Sequence, residues 1–372
     1  MTLGLILVAA VVLLALSNGA NDNFKGVAAL FGSRTVGYWT ALAWATVTTT
    51  AGSLAAIALA EELLKRFSGK GLVPDALATT EPYLVAIVAG AALTIVVASA
   101  IGLPISTTHA LTGAMIGSGW MAVGSAVNLG ALGKTVVLPL LLSPALAVAL
   151  GAGVYVALRS LRRASGLARA EDSCVCLEEV PVALVAQGRA MALQATPPAV
   201  RVAIRHQAEC EGRYSGRIAG VSSQRLVDVA QFISAGVVSF ARGLNDTPKI
   251  AAVLLASPLL GPTGSLVLVT VAMAIGGVVG ARRVAETMSR KVTAMSTGQG
   301  LSASLSTGTL VLAASMAGLP VSTTHVTVGS LVGIGLCNGK ADFSVIRTIL
   351  LSWVATLPIA AVLSAMVYAA AR

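Results

Sequence analysis

The chain has 372 residues, of which 56% are hydrophobic and only 11% charged, whereas an ordinary soluble domain carries about 25% charged residues. This balance excludes a soluble enzyme, a disordered chain and a fibrous one, and the continuous apolar runs exclude a β-barrel, whose strands alternate polar and apolar residues. The formal net charge of +10 is unevenly spread, with most of the Arg in one central segment, so it reads as the Lys and Arg excess of cytoplasmic loops rather than as a nucleic-acid surface.

In chain order, apolar stretches cover approximately residues 3–20, 37–60, 82–101, 103–124 and 129–158, then 226–241, 246–260, 263–281, 299–317, 319–337 and 344–371. The first has no basic segment before it and no small-residue cleavage site after it, and is expected to be a retained span. Several fall short of the roughly 20 residues a clean span needs, notably around Gly102-Leu103-Pro104 and Gly318-Leu319-Pro320. Broken helices or re-entrant hairpins are expected there. The predicted fold is an all-α polytopic membrane protein in three parts: a first transmembrane repeat over residues 1–158, a linker over 159–225 and a second repeat over 226–372.

The linker holds ten Arg against six acidic residues and a Pro197-Pro198 pair. Amphipathic helices are expected near residues 181–191 and 200–213. Cys174, Cys176, His206 and Cys210 could form a Cys₃His zinc site, with His206 and Cys210 one helical turn apart. Their alternative is a set of reduced cytoplasmic thiols, since the C-x-C spacing is not the usual C-x₂-C.

The two hydrophobic sets repeat each other. Gly102-Leu-Pro-Ile-Ser-Thr-Thr-His109 returns as Gly318-Leu-Pro-Val-Ser-Thr-Thr-His325, and Ala20-Asn21-Asp22-Asn23-Phe24-Lys25 returns as Leu244-Asn245-Asp246-Thr247-Pro248-Lys249. Both motifs recur in the same order, which marks an internal duplication. The loop from Glu61 to Glu81 carries Lys65, Arg66 and Lys70 against Glu61, Glu62, Asp75 and Glu81. Its counterpart carries Arg282, Arg283, Arg290 and Lys291 against Glu286 alone. The positive-inside rule places the second loop in the cytoplasm and the first outside. The halves are therefore expected to be inverted, as in many secondary transporters.

An ionised Asp near the bilayer centre costs at least about 2.5 kcal/mol, so Asp22 and Asp246 need a reason. Either each satisfies Lys25 or Lys249 three positions on, or the pairs mark a transport path in which Asp takes the coupling ion and Asn and Lys meet an anionic substrate. The Gly-Leu-Pro-x-Ser-Thr-Thr-His element has the form of a neutral anion cradle. Gly permits a reversal and Pro starts a helix. Ser106, Thr107 and Thr108, and again Ser322, Thr323 and Thr324, then lie beside free N–H groups at the positive end of the helix dipole. His109 and His325 are either proton-linked or simply hydrogen-bonded, and Arg34 and Arg242 read as interfacial. The absence of a Walker A sequence, a nucleophile elbow or an H-E-x-x-H motif removes the ATPase and hydrolase readings, and no enzymatic activity is expected.

Gly19-Ala20-Asn21-Asp22, its partner Leu244-Asn245-Asp246 and the twin Gly-Leu-Pro-[Ile/Val]-Ser-Thr-Thr-His motifs resemble the PiT family of inorganic phosphate transporters. The resemblance covers both hydrophobic halves. It implies secondary transport of inorganic phosphate coupled to Na⁺ or H⁺, an inverted-repeat fold with re-entrant hairpins, and a homodimer. It also implies substrate and coupling-ion sites lined by Asn21, Asp22, Asn245, Asp246 and the Ser-Thr-Thr triplets. Lys25 departs from the family's commoner Asn-Asp-x-x-Asn pattern. Sodium-coupled relatives carry a Glu in each half where this sequence has Thr49 and Ser304, and hard cations favour charged oxygen ligands. Proton coupling through Asp22 and Asp246 is therefore the preferred expectation. Sulfate or another tetrahedral oxyanion is the alternative substrate, and an anion channel or a non-transporting receptor are the alternative classes.

Overall fold

The computed structural model describes residues 2–67, 71–164, 173–179, 200–206, 217–218, 221–255 and 260–372. The first half runs α1 (Thr2–Asp22), a 3₁₀ turn (Asn23–Val27), α2 (Ala28–Gly32), α3 (Tyr38–Leu59), α4 (Glu61–Arg66), α5 (Asp75–Ala78), α6 (Glu81–Ile101), α7 (Thr107–Val123), α8 (Leu129–Leu132) and α9 (Leu138–Ala164). Then come strands β1 (Ser173–Glu179), β2 (Val200–His206), β3 (Arg217–Ile218) and β4 (Val221–Ser222). The second half comprises α10 (Ser223–Leu255), α11 (Pro262–Gly280), α12 (Arg282–Glu286), α13 (Thr297–Met316), α14 (Thr323–Asn338) and α15 (Phe343–Ala371). Two compact units result, Met1–Leu158 with Val227–Arg372, and Arg159–Leu226.

Among the described residues, seven helical segments are long and apolar enough to cross a membrane: Leu3–Gly32, Tyr38–Leu59, Glu81–Ile101, Leu129–Ala164, Ser223–Leu255, Pro262–Gly280 and Phe343–Ala371. Large apolar side chains such as Val47, Val97, Val279, Val354 and Met366 are exposed, while Asn21, Asp22, Lys25, Asn245, Asp246 and Lys249 are buried. That inside-out distribution suits a lipid surround, where polar groups must be satisfied within the protein.

The breaks before α7 and α14 have one construction. Gly102 and Gly318 take φ of 75° and 67°, left-handed values that favour glycine. The Leu103 N–H then donates to the Ala98 carbonyl at 2.9 Å and the Leu319 N–H to the Ala314 carbonyl at 2.8 Å, closing off each preceding helix. Ser106 and Ser322 cap the new helices, each accepting the backbone N–H of the His three residues on, at 3.2 and 3.3 Å. At 17 and 16 residues and about 1.5 Å rise per residue, α7 and α14 are shorter than the roughly 30 Å hydrocarbon layer.

Small residues let these short helices approach their partners closely, the usual packing device in membranes. A Cβ at Gly113 or Gly117 would meet the carbonyl oxygens of Leu357 and Ala361, so α7 lies backbone to backbone on α15. A Cβ at Gly329 or Gly333 would meet those of Pro144 and Val148, so α14 lies in the same way on α9. Each half thus packs its cradle helix against the last helix of the other. At Gly117 the added Cβ would fall 1.9 Å from the Ala361 oxygen, whereas Gly153 has nothing within 4 Å. Gly117→Ala is therefore expected to lower the thermal midpoint of the detergent-solubilised protein and Gly153→Ala to leave it unchanged or raise it. Equal midpoints for the two variants would show that the α7–α15 approach is not tight.

Two expectations are corrected. The sequence separated 226–241 from 246–260, yet α10 is continuous from Ser223 to Leu255 with Pro248 inside it. Continuity places Arg242, Asn245, Asp246 and Lys249, at i, i+3, i+4 and i+7, on one face. In the other unit, the helix expected near residues 200–213 is replaced in part by β2. Val200 to His206 pair antiparallel with Glu179 to Ser173. Val200, Val202 and Ile204 alternate with Arg201, Ala203 and Arg205, and a period of two with β-branched residues is a strand pattern. Cys174 stands opposite Arg205, Cys176 opposite Ala203 and His206 opposite Ser173. Cys210 and the segment 181–191 lie outside the described residues.

Candidate substrate and coupling site

The end of α1, its 3₁₀ turn, the matching face of α10 and the N-termini of α7 and α14 converge on one buried centre. Lys25 is 1% exposed and Lys249 fully buried. The Lys25 ammonium donates to the Ile105 carbonyl at 2.7 Å and to Thr324 Oγ1 at 2.5 Å. The Lys249 ammonium donates to the Val321 carbonyl at 2.7 Å and to Thr108 Oγ1 at 3.0 Å. Ile105 and Val321 are the variable positions of the two Gly-Leu-Pro-x motifs, and Thr108 and Thr324 are their third hydroxyl residues. Each lysine therefore holds the carbonyl of its own half and the hydroxyl of the opposite half. The threonines complete the exchange, Thr324 Oγ1 donating to the Ile105 carbonyl at 2.7 Å and Thr108 Oγ1 to the Val321 carbonyl at 3.4 Å.

The asparagines anchor the breaks. Asn21 Nδ2 donates to Ser99 Oγ and to the Leu103 carbonyl, both at 3.0 Å, and its Oδ1 accepts the Ile105 N–H at 3.2 Å. In the second half, Asn245 Nδ2 donates to the Val321 carbonyl at 3.1 Å, and its Oδ1 accepts from Ser315 Oγ at 3.3 Å. Ser99 and Ser315 both stand three residues before the break glycine. Sequence reasoning missed them because isolated serines in apolar helices usually bond the preceding turn.

The two carboxylates are held differently. Asp22 Oδ1 lies 2.5 Å from Lys25 Nζ, and its Oδ2 accepts from Thr107 at 3.2 Å and Asn18 at 3.3 Å. Asp246 Oδ1 accepts from Asn245 at 2.9 Å and lies 3.8 Å from Lys249 Nζ, while its Oδ2 has no hydrogen-bond partner. Beside it stands Arg242, 1% exposed and not interfacial. Its Nε is 3.7 Å from Asp246 Oδ2, and its terminal nitrogens donate to Asn18, Asn23 and Thr49. Arg242 and Asn18 stand at equivalent places in the two repeats, three residues before Asn245 and Asn21. That equivalence was the available signal for both.

The remaining residues named from sequence fall around this centre. Ser106 and Ser322 use their oxygens as helix caps, and Thr323 is buried at the start of α14. The rings of His109 and His325 meet at 4.7 Å, and His325 lies 3.9 Å from the Trp353 ring. A pocket of about 560 Å³ opens nearby, lined in part by Ala20, Ser99, Arg282, Arg283 and Glu286, and Arg283 donates to the Ala100 carbonyl.

This is a polytopic α-helical membrane protein in which two copies of one motif pair build a charged, buried centre. The model of the phosphate transporter family matches residues 18–364, and the chain belongs to that family. Provisionally named phosphate permeases of Thermococcus kodakarensis and Pyrococcus abyssi are each 29% identical to it over 312 residues, covering 76% and 75% of this chain and 77% and 76% of theirs. A solved structure described as the sodium-dependent phosphate transporter is 21% identical, covers 100% of this chain and 99% of its own, and superposes with a TM-score of 0.74, a likeness of fold.

Proposed function

We propose that the protein is a secondary active transporter that imports inorganic phosphate across the plasma membrane, with H⁺ rather than Na⁺ as the coupling ion. The observation that carries this reading is the crossed pair of Lys–Thr bonds, Lys25 to Thr324 and Lys249 to Thr108. An oxyanion arriving between them accepts from both ammonium groups and both hydroxyls, and from free N–H groups at two helix starts. Substrate then replaces bonds that each half makes to the other, which links binding to the relative position of the halves.

Charge supports an oxyanion substrate. Lys25, Lys249 and Arg242 face Asp22 and Asp246, so in their ordinary charge states the described centre carries one surplus positive charge. A proton on one carboxylate raises the surplus to two, which suits a divalent tetrahedral oxyanion such as hydrogenphosphate, and competition by arsenate and sulfate separates the candidates. Asp22 and Asp246 are the proposed proton sites, Asp22 held by Lys25, Thr107 and Asn18, and Asp246 by Asn245 with Arg242 and Lys249 beside it. In this mechanism a proton on Asp22 or Asp246 weakens its hold on Lys25 or Lys249 and frees that ammonium for the substrate. The inverted relation of the halves, with the linker and the Arg282–Lys291 segment cytoplasmic, lets rocking about the centre give alternating access. A homodimer is the assembly we assign. Zinc in the linker remains a proposal on Cys174, Cys176, His206 and Cys210.

Labelled-phosphate uptake into proteoliposomes tests this reading. A pH gradient is expected to drive accumulation without Na⁺, with arsenate competing strongly and sulfate weakly. Accumulation driven only by a Na⁺ gradient would overturn the coupling, and strong sulfate but weak arsenate competition would overturn the substrate.

A further inference from the structure

The surroundings of Arg242 are unusual for an arginine in a membrane protein. Asn18 Oδ1 accepts from one terminal nitrogen at 2.8 Å, Asn23 Oδ1 and Thr49 Oγ1 accept from the other at 3.2 and 3.3 Å, and Asp246 Oδ2 lies 3.7 Å from Nε. These four oxygens come from α1, its 3₁₀ turn, α3 and α10. The amide orientations are fixed independently. Asn18 Nδ2 is committed to Thr107 at 2.8 Å, and Asn23 Nδ2 to Thr46 at 2.9 Å, so both carbonyl oxygens are turned toward the guanidinium. Three neutral oxygens and one carboxylate form the donor set that a hard monovalent cation takes. No repeat of the arrangement exists across the pseudo-symmetry, because the equivalent of Arg242 is Asn18 itself.

Burying a guanidinium is costly unless every donor finds a partner, and an apolar substitute of similar volume is often as stable or better. Packing alone therefore does not account for it. Its position does, because the cage is joined to the anion centre at both ends, through Asp246 and through the Asn18–Asp22–Thr107 bonds. We propose that the Arg242 guanidinium is a resident cation, tethered by its side chain in an oxygen cage that a free alkali cation would otherwise enter, and that it frees phosphate binding from any need for Na⁺. This rests on the phosphate reading of the centre but is measurable apart from it.

The experiment uses purified full-length protein in NaCl, choline chloride or choline chloride supplemented with millimolar guanidinium. Wild-type phosphate affinity is expected to be the same in all three. Arg242→Ala is expected to lose at least about tenfold in choline, the scale of one charged hydrogen bond, and to recover with guanidinium or Na⁺. Thermal midpoints give a second readout that needs no substrate: guanidinium and Na⁺ stabilise Arg242→Ala relative to choline and leave wild type unmoved. If wild type binds no phosphate in any salt, the substrate reading fails while the midpoints still decide the cage. Wild-type affinity that rises tenfold with Na⁺, Arg242→Ala binding as wild type in choline, or midpoints of Arg242→Ala indifferent to both cations would overturn the proposal. Should Arg242→Ala not fold, Arg242→Lys takes its place. A retained compact cation then keeps phosphate affinity independent of Na⁺, and Na⁺ dependence in that variant would contradict it.

Discussion

Asp22→Asn is expected to lose thermal stability and phosphate uptake together, whereas Asp22→Asn combined with Lys25→Met recovers stability and not uptake. Lys25 Nζ and Asp22 Oδ1 are 2.5 Å apart, and both side chains are 1% exposed. Breaking such a pair strands a buried charge and costs about 3–5 kcal/mol, while removing both charges is often neutral. The double variant also deletes the donor that holds Thr324 Oγ1 and the Ile105 carbonyl, so the centre loses its grip on substrate even when the fold is restored. Thermal midpoints and uptake measured on wild type, both single variants and the double variant form the cycle that checks this. A double variant no more stable than Asp22→Asn would mean that a stranded Lys25 charge is not what destabilises the single variant. Full uptake by the double variant would remove Lys25 from the substrate path.

Thr108→Val and Thr324→Val are expected to weaken phosphate binding to similar extents, although their nearest equivalents in the first turn, Ser106 and Ser322, act differently. Each threonine hydroxyl accepts from the lysine of the opposite half. Hydrogen bonds to charged groups contribute about 1.5–3 kcal/mol, which is roughly ten- to hundredfold in affinity. Valine keeps the shape and removes only the hydroxyl. Ser106 and Ser322, by contrast, spend their oxygens on the His109 and His325 N–H groups. Their replacement by Ala is expected to cost about 1 kcal/mol of helix stability, seen in the thermal midpoint and much less in affinity. Equal effects on binding from all four substitutions would mean that the triplets act as one undifferentiated surface.

Much of the centre was legible because charge is scarce in this chain. Asp22, Lys25 and their repeats stand out in apolar runs, and the Gly-Leu-Pro break announces its own left-handed glycine and new helix start. The twofold occurrence of each motif ties the two halves of the chain together from sequence alone. Arg242 was not legible as a buried residue, since one Arg beside a polar motif looks like an interface anchor. Only the continuity of α10 through residues 242–246 puts it one turn before Asn245 and Asp246, facing Asn18. The crossing of the Lys–Thr bonds between halves was also hidden, because a repeat shows which residues are equivalent but not which copy each one touches. In the linker, Val200, Val202 and Ile204 alternate with Arg201 and Arg205, but Ala203 makes 202–204 a continuous apolar run that blurs the period of two.

A single oxyanion site built jointly by both repeats is the proposal to test, and its direct measure is the stoichiometry of phosphate binding by calorimetry to the purified full-length chain. It predicts one phosphate per chain, with affinity lowered by Thr108→Val and by Thr324→Val and stoichiometry unchanged in both. Two phosphates per chain, with each substitution abolishing one of them and leaving the other intact, would mean that each cradle works alone and would contradict it.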